Sequence, residues 1–566
     1  MRVLARICRA EAAYPACAMV LLCAWCVVLG VRATRQQEWP LYHDAYRDIG
    51  VAQSILDGRY PEDPILRGET LWYTPVTGAL VALGSRITGL PPYLVDARLG
   101  AYLNALLPAA FFVMVWVLFD PWVALTALIF FVTRNASDNP TRFDIASISY
   151  SPWLWATYLG HVPFYASIAL YVTGLRRGSL RWFVAAGAAW GLAFMTHATP
   201  AFVLGGAFLI AAVLRVLPVL REYKKAARGL AQFLTAAVIA FAVSLPYTGS
   251  ILWNYQFRIR NPGANRYIDF LIALDRVPET IAEAVSPYTL FVLAGFLAAF
   301  YAPRLKNGTR AVLGGWLVTV AAFLLWGYAG QVAEAAWHVS WTYLLPLHHF
   351  FIQASALTPI LAGLGVVAVS RRAARVLVWL VRGRAAPLPR LERLVRVTLP
   401  ALVAAGVTAG LFLPRYVLAT RFESPVDFGW PASGVEDRTA LFHWLTQECP
   451  PDAVVLCDEN VALRFVMPAA RKVVATWDLF MNPYVAYDER TGDRVRLFTA
   501  IESRDDAQFA ALAAKYHVTH VLVRDSTMTD PGGTHALTFE QIETLDPPYL
   551  TLAYHGHGLA VYAARL

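Results

Sequence analysis

Ten stretches of this 566-residue chain stay apolar for long enough to cross a lipid bilayer. They run at about 14–31, 98–119, 153–173, 182–198, 200–217, 229–250, 287–302, 311–329, 351–370 and 395–414, and a shorter eleventh at 121–133 follows Asp120-Pro121. Their interiors are nearly free of Asp, Glu, Lys and Arg. Lipid offers no hydrogen-bond partners, so such segments must satisfy their own backbone as helices. Only 15% of all residues are charged, against about 25% in ordinary soluble domains. Disorder and a secreted disulfide scaffold are excluded, and a soluble multidomain enzyme is disfavoured. The first run follows Arg2, Arg6 and Arg9 but exceeds a signal-peptide core, and no cleavage site precedes Arg32. It reads as a retained anchor, and the fold class expected is a polytopic α-helical membrane protein with about eleven spans.

The net charge of +9 has a place in this scheme. With the N-terminus cytoplasmic, the inside loops hold Arg176, Arg177 and Arg181, then Arg221, Lys224, Lys225 and Arg228, then Arg304, Lys306 and Arg310. The inside loop 371–396 carries eight Arg against the single Glu392, whereas 330–349 outside has neither Lys nor Arg. The positive-inside rule holds throughout when 121–133 is counted as a span. Orientation in a cell membrane thus accounts for the basic balance, and a nucleic-acid partner loses its support.

Three outside loops are long: 32–97, 134–152 and 254–286. Loops beyond about 15 residues are usually functional. Past residue 414 the apolar runs shorten and charge returns. Helical patterns at 436–448 and 505–516 alternate with strand-like Ala453–Cys457, Val473–Thr476, His520–Val523 and Leu559–Ala563. The expected organisation is a transmembrane region 1–414 and an extracytoplasmic α/β domain 415–566. That domain has no Gly-rich nucleotide motif, and Cys449 and Cys457 read either as a disulfide or as two small apolar residues.

The first loop is the most informative segment. In Trp39-Pro40-Leu41-Tyr42-His43-Asp44-Ala45-Tyr46-Arg47-Asp48-Ile49, Ala45 and Ile49 begin an apolar stripe that continues at Ala52 and Leu56, and Gly58 supplies a stop. This predicts an amphipathic helix on the outer membrane surface with Asp44 at its start and Asp48 one turn later. Asp44 reads equally as a helix cap, and Asp48 as a solvated partner of Arg47.

This acid after the first span, the aromatic segment Leu71-Trp72-Tyr73-Thr74-Pro75-Val76 and the many spans resemble the GT-C class of polyprenyl-phosphate-sugar-dependent glycosyltransferases. That class includes protein O-mannosyltransferases and the aminoarabinose transferase of lipid A. The resemblance implies a sugar transferase with Asp44 as general base on the acceptor. Many members place a second acid directly after the first, where this chain has Ala45. Tyr73-Thr74-Pro75-Val76 matches an aromatic-Lys-Pro-Pro signature, so Thr74 stands where a phosphate-binding Lys would be. Tyr46, Tyr73 and Thr74 become substrate-loop candidates. Asp48, or Asp144 ahead of Asp138 in the second loop, becomes the assisting acid. The segment Gly191–His197 also looks like a recurrent piece of such enzymes, although His197 reads first as a packing histidine.

The chemistry requires a base for the acceptor proton, cations for the leaving phosphate, and alignment of both substrates. Cation candidates are Arg258, Arg260 and Arg266 among the aromatics of the third loop, with His348 and His349 just before a span. The same arginines could serve lipid headgroups alone. A divalent metal is compatible with such acids, but nothing visible demands one. The expected partners are a polyprenyl-phosphate-sugar donor, an extracytoplasmic glycan, lipid or protein acceptor, and the membrane itself. The rivals are a lipid-linked-glycan transporter or flippase, a polysaccharide polymerase or ligase, and a sensor. Coupled carriers bury charge within their spans, which this chain does not, and a sensor needs an inside output domain.

Overall fold

A computed structural model describes residues 2–40, 42–133, 149–261, 287–301, 307–339, 345–382, 435–525, 536–556 and 558–565, with a few isolated positions between them. Most of the second loop and of the run 395–414, and with them Asp138, Asp144 and Arg266, lie outside the described residues. The chain is a multi-pass membrane protein. Six helices among the described residues are long and apolar enough to span: Ala13–Thr34, Pro92–Leu118, Ala198–Val219, Tyr223–Tyr255, Gly308–Trp337 and His348–Val376. Shorter apolar helices, Pro121–Thr133, Leu180–Thr196 and Tyr288–Tyr301, pack among them.

The bundle begins with α1 (Arg2–Thr34). The first loop then folds into α2 (His43–Leu56) and α3 (Val76–Thr88) before α4 (Pro92–Leu103), α5 (Leu106–Leu118) and α6 (Pro121–Thr133). Next come α7 (Ala156–Arg177), α8 (Leu180–Thr196), α9 (Ala198–Val216) and α10 (Tyr223–Ser250), followed by α11 (Pro287–Tyr301), α12 (Asn307–Trp337) and α13 (His348–Arg382). Their core is continuous and aromatic, with Phe111, Phe131, Tyr165, Phe164 and Trp316 fully buried. At one end Arg176 donates to the carbonyls of Val117 and Leu118, and Arg371 pairs with Asp120 at 2.9 Å. From His348 to Arg371 the rise of α13 amounts to about 35 Å, a bilayer thickness. The first loop, Tyr255, His348 and the C-terminal residues gather at the other end. Segments assigned to one side by their charge therefore meet at one side.

The C-terminal region holds a five-stranded sheet in the order β2-β1-β3-β5-β4. The strands are β1 (Val454–Leu456), β2 (Lys472–Val473), β3 (Val518–Arg524), β4 (Leu550–Gly556) and β5 (Leu559–Ala564). β1 pairs in parallel with β2 and β3, and β5 is antiparallel to β3 and β4. The helices Val435–Gln447 and Asp506–Tyr516 fall where the periodicity placed them. The helix Tyr487–Ser503 and strand β4 were not anticipated, and the run expected at Val473–Thr476 supplies only the short β2. Cys449 and Cys457 are buried free thiols.

One expectation needs correcting. The amphipathic helix of the first loop forms as α2, but its apolar stripe packs on other segments of the chain rather than facing lipid. Tyr46 and Ile49 of α2 share one core with Trp39, Ile65, Leu66 and Tyr93, and with Leu441, Leu445, Val461, Val466, Met467 and Phe480 from the C-terminal region. A Cβ on Gly50 would collide with the Met467 carbonyl, so glycine permits this close approach. The apolar stripe that suggested lipid contact is spent on protein.

Candidate active site

α2 sets the geometry. Tyr42 precedes it in an extended conformation without a side-chain cap, and Asp44 lies in the first turn, at the electropositive helix end. Asp44 projects past the packed elements with its side chain 55% exposed. Asp48, one turn later, is 1% exposed because α3 crosses directly beneath it. At the crossing a Cβ on Gly78 would stand 3.0 Å from the Asp48 carbonyl oxygen. Equal helical spacing thus gives two unlike acids. Burial, with Asp44 adding to it, pushes the Asp48 carboxyl up to about 7, although Arg47 opposes the shift. Asp48 is therefore not a solvated partner of Arg47.

Arg47 lies between the two acids and is 6% exposed. Its Nη1 is 3.3 Å from Asp44 Oδ1, and its Nε is 3.5 Å from Asp48 Oδ1. The guanidinium rests 3.2 Å above the Tyr73 ring centroid. Neither carboxyl oxygen of Asp48 has a hydrogen-bond partner, and the same holds for both oxygens of buried Asp96 on α4. Asp96 lies within electrostatic reach of Asp48 and of Tyr42.

Histidines close the membrane-facing side. His197 occupies the extended break between α8 and α9, and its ring centroid is 4.8 Å from that of His349. His348 and His349 are 4.0 Å apart at the start of α13. The Nδ1 atoms of all three are buried without partners. Behind them His161 Nδ1 donates to the Thr157 carbonyl at 2.6 Å, and its Nε2 accepts from Gln353 at 2.7 Å, which locks α7 to α13. His348 feels the charge of Asp44, and His197 that of Arg47, so the two polar sets lie within electrostatic reach of each other.

The opposite wall comes from the C-terminal region. The His43 ring meets Trp477 at 5.6 Å and Phe480 at 6.4 Å, both edge-on. Burial first, and then Arg464, lowers His43 to about 4, so it is neutral at pH 7.

Other expected residues have structural partners. Thr74 is buried and donates to the Thr196 carbonyl at 2.9 Å, which ties the first loop to the end of α8. Tyr46 accepts from Arg438 at 2.7 Å inside the shared core. Tyr73 supports Arg47 from below. Arg258 and Arg260 have exposed side chains, and the Arg260 backbone N–H donates to the Pro483 carbonyl at 2.8 Å. Among the described residues no three His, Cys, Asp or Glu side chains are disposed to hold a metal ion. Asp96, Trp477 and Phe480 escaped the sequence reading, and Arg47 entered it only as a partner of Asp48. The Arg47 signal was its position between two acids on a helix whose other faces are apolar.

No protein-family model matches the sequence, and no curated protein does. Solved structures do match. ArnT from Cupriavidus metallidurans in the apo state is similar over 96% of this chain and 97% of its own, with TM-score 0.52 and 15% identity. The same protein bound to undecaprenyl phosphate gives 0.51 and 14% over the same shares. The Archaeoglobus fulgidus oligosaccharyltransferase, tethered to an acceptor peptide with the NVT sequon, gives 0.50 and 13% over 98% of this chain and 74% of that one. At such identities the likeness is one of fold.

Proposed function

We propose that this protein is a membrane glycosyltransferase that moves a sugar from a polyprenyl-phosphate-linked donor to an extracytoplasmic glycan, lipid or protein. The observation that carries this reading is the head of α2. A half-exposed carboxylate, Asp44, stands beside a buried guanidinium and opposite unpartnered histidines, at one end of a transmembrane bundle. The likeness to ArnT supports the donor class, since that protein has been seen with undecaprenyl phosphate.

In this reaction Asp44 takes the proton of the acceptor hydroxyl or amide as the acceptor atom bonds to the anomeric carbon. The anomeric carbon–oxygen bond breaks, and its electron pair leaves on the polyprenyl phosphate. A single displacement inverts the anomeric centre. The leaving dianion needs cations or N–H donors at membrane depth, and His348 and His349 occupy that depth. Asp48 keeps its carboxyl next to Arg47 and sets how much of the arginine's charge is free; Asp144 is the second assisting acid in this reading. Arg258 and Arg260 form an outer basic rim that meets lipid headgroups, and Arg266 is a further donor-phosphate candidate of the same loop. The N-terminus is cytoplasmic, and residues 415–566 form an extracytoplasmic domain that covers the acceptor side with Trp477 and Phe480.

The test is turnover by the purified full chain in lipid. A sugar carried on undecaprenyl phosphate should be consumed with release of free undecaprenyl phosphate, and the matching nucleotide sugar should be inert. Consumption of the nucleotide sugar alone would overturn the donor class.

A further inference from the structure

Buried arginines normally satisfy their five N–H donors, because each unmet one costs desolvation without return. Arg471 of this molecule makes four such bonds. Its Nε donates to the Leu445 carbonyl at 2.9 Å and its Nη2 to the Thr446 carbonyl at 3.1 Å. Its Nη1 donates to the Ala469 carbonyl at 3.0 Å and to Asp57 at 3.1 Å. Arg47 is almost as buried, yet its Nε and Nη2 have no hydrogen-bond partner. Its approaches to Asp44 and Asp48, at 3.3 and 3.5 Å, are longer than the roughly 2.7–2.9 Å of a charge-assisted bond. Stacking on Tyr73 holds the guanidinium plane without using any N–H. The result is a fixed cation with a buried, unpaired donor edge.

What it faces decides the ligand. His197 lies within electrostatic reach and has a buried, unpartnered Nδ1, and the ring of His349 adjoins it. Thr74 is committed to the Thr196 carbonyl, and Arg258 and Arg260 are exposed. A planar fork, with imidazoles beside it, suits a tetrahedral oxyanion taken up two oxygens at a time. We propose that Arg47 is the anchor of the donor's phosphate, gripping it through its unpaired N–H edge with His197 and His349 beside it. The inference rests on the reading of a polyprenyl-phosphate donor and names the residue that binds its charge. Asp44 and Asp48 then act as place-holders that the phosphate outcompetes. The base is released from the arginine as the donor binds.

The test is binding of undecaprenyl phosphate by the purified full chain, beside undecaprenol as the uncharged control. Arg47→Gln should weaken phosphate-lipid binding at least about tenfold, and Arg47→Lys, which keeps charge without the fork, about threefold or more. Undecaprenol should bind all three proteins alike, and Arg86→Gln, at the exposed end of α3, should stay within about twofold of the parent. Parent-like affinity for the phosphate lipid in either folded Arg47 variant overturns the inference alone. Failure of the parent to bind the phosphate lipid overturns the donor reading and this inference together.

Discussion

Two regions of the molecule bury arginine beside aspartate and use it in opposite ways. Where the first loop meets the C-terminal sheet, Arg471 and Asp57 belong to a network that leaves little unmet. Arg59 donates to the carbonyls of Pro451 and Ala470, at 2.5 and 2.6 Å. Lys472 donates to the Asp63 carbonyl, and the Val473 N–H reaches the Ile65 carbonyl at 2.8 Å. At the head of α2, Arg47, Asp48 and Asp96 are equally buried, but most of their polar atoms lack partners. A satisfied buried charge holds a fold together. An unsatisfied one marks a place kept for something else, and it persists because the surrounding packing is stable enough to bear the cost.

The largest effect belongs where the first loop meets the C-terminal sheet. Arg471→Ala leaves three carbonyls and Asp57 without their donors, so it should cost about 3–5 kcal/mol and lower the melting temperature sharply. Arg47→Lys should melt close to the parent. Equal losses would erase the distinction.

Asp48→Asn probes the unsatisfied side. A carboxyl held near 7 in the fold and near 3.8 in the unfolded chain binds its proton more tightly when folded. Its contribution is therefore largest below about pH 4 and is lost as the pH rises toward 7. Unfolding measured from pH 4 to 7 should show the parent losing more stability than Asp48→Asn, by a few kcal/mol in all. Parallel curves would contradict the burial of this acid.

Thr74→Val sharpens the picture with the smallest change. It removes one hydrogen bond to the Thr196 carbonyl and should cost about 1 kcal/mol of stability in a thermal melt. Donor affinity should remain within a factor of about two, because the hydroxyl is already engaged.

Much of this was legible in the sequence because membranes impose simple rules. Span length and arginine placement gave the order of segments and grouped the loops by side. The period of Ala45, Ile49 and Ala52 placed α2, and Asp44 stood out as an acid beyond the first span. What covers α2 was not legible. An apolar stripe looks the same whether it meets lipid or residues 441–480, some 400 positions later in the chain. For the same reason Asp48 read as solvated, and Arg47 as its surface partner. The third-loop arginines shared the composition of a phosphate site, but Arg258 and Arg260 remain exposed. Composition names the residue types, and long-range packing decides which of them lose their water.

The central claim is that Asp44 is the base for sugar transfer. Asp44→Asn keeps the shape of the side chain, removes its charge with its basicity, and alters a half-exposed position, so insertion and melting should stay close to the parent. Transfer from an undecaprenyl-phosphate-linked sugar, measured at saturating donor, should fall by about 10²–10⁴-fold with donor binding largely retained. Undiminished transfer by the correctly inserted variant would contradict the account.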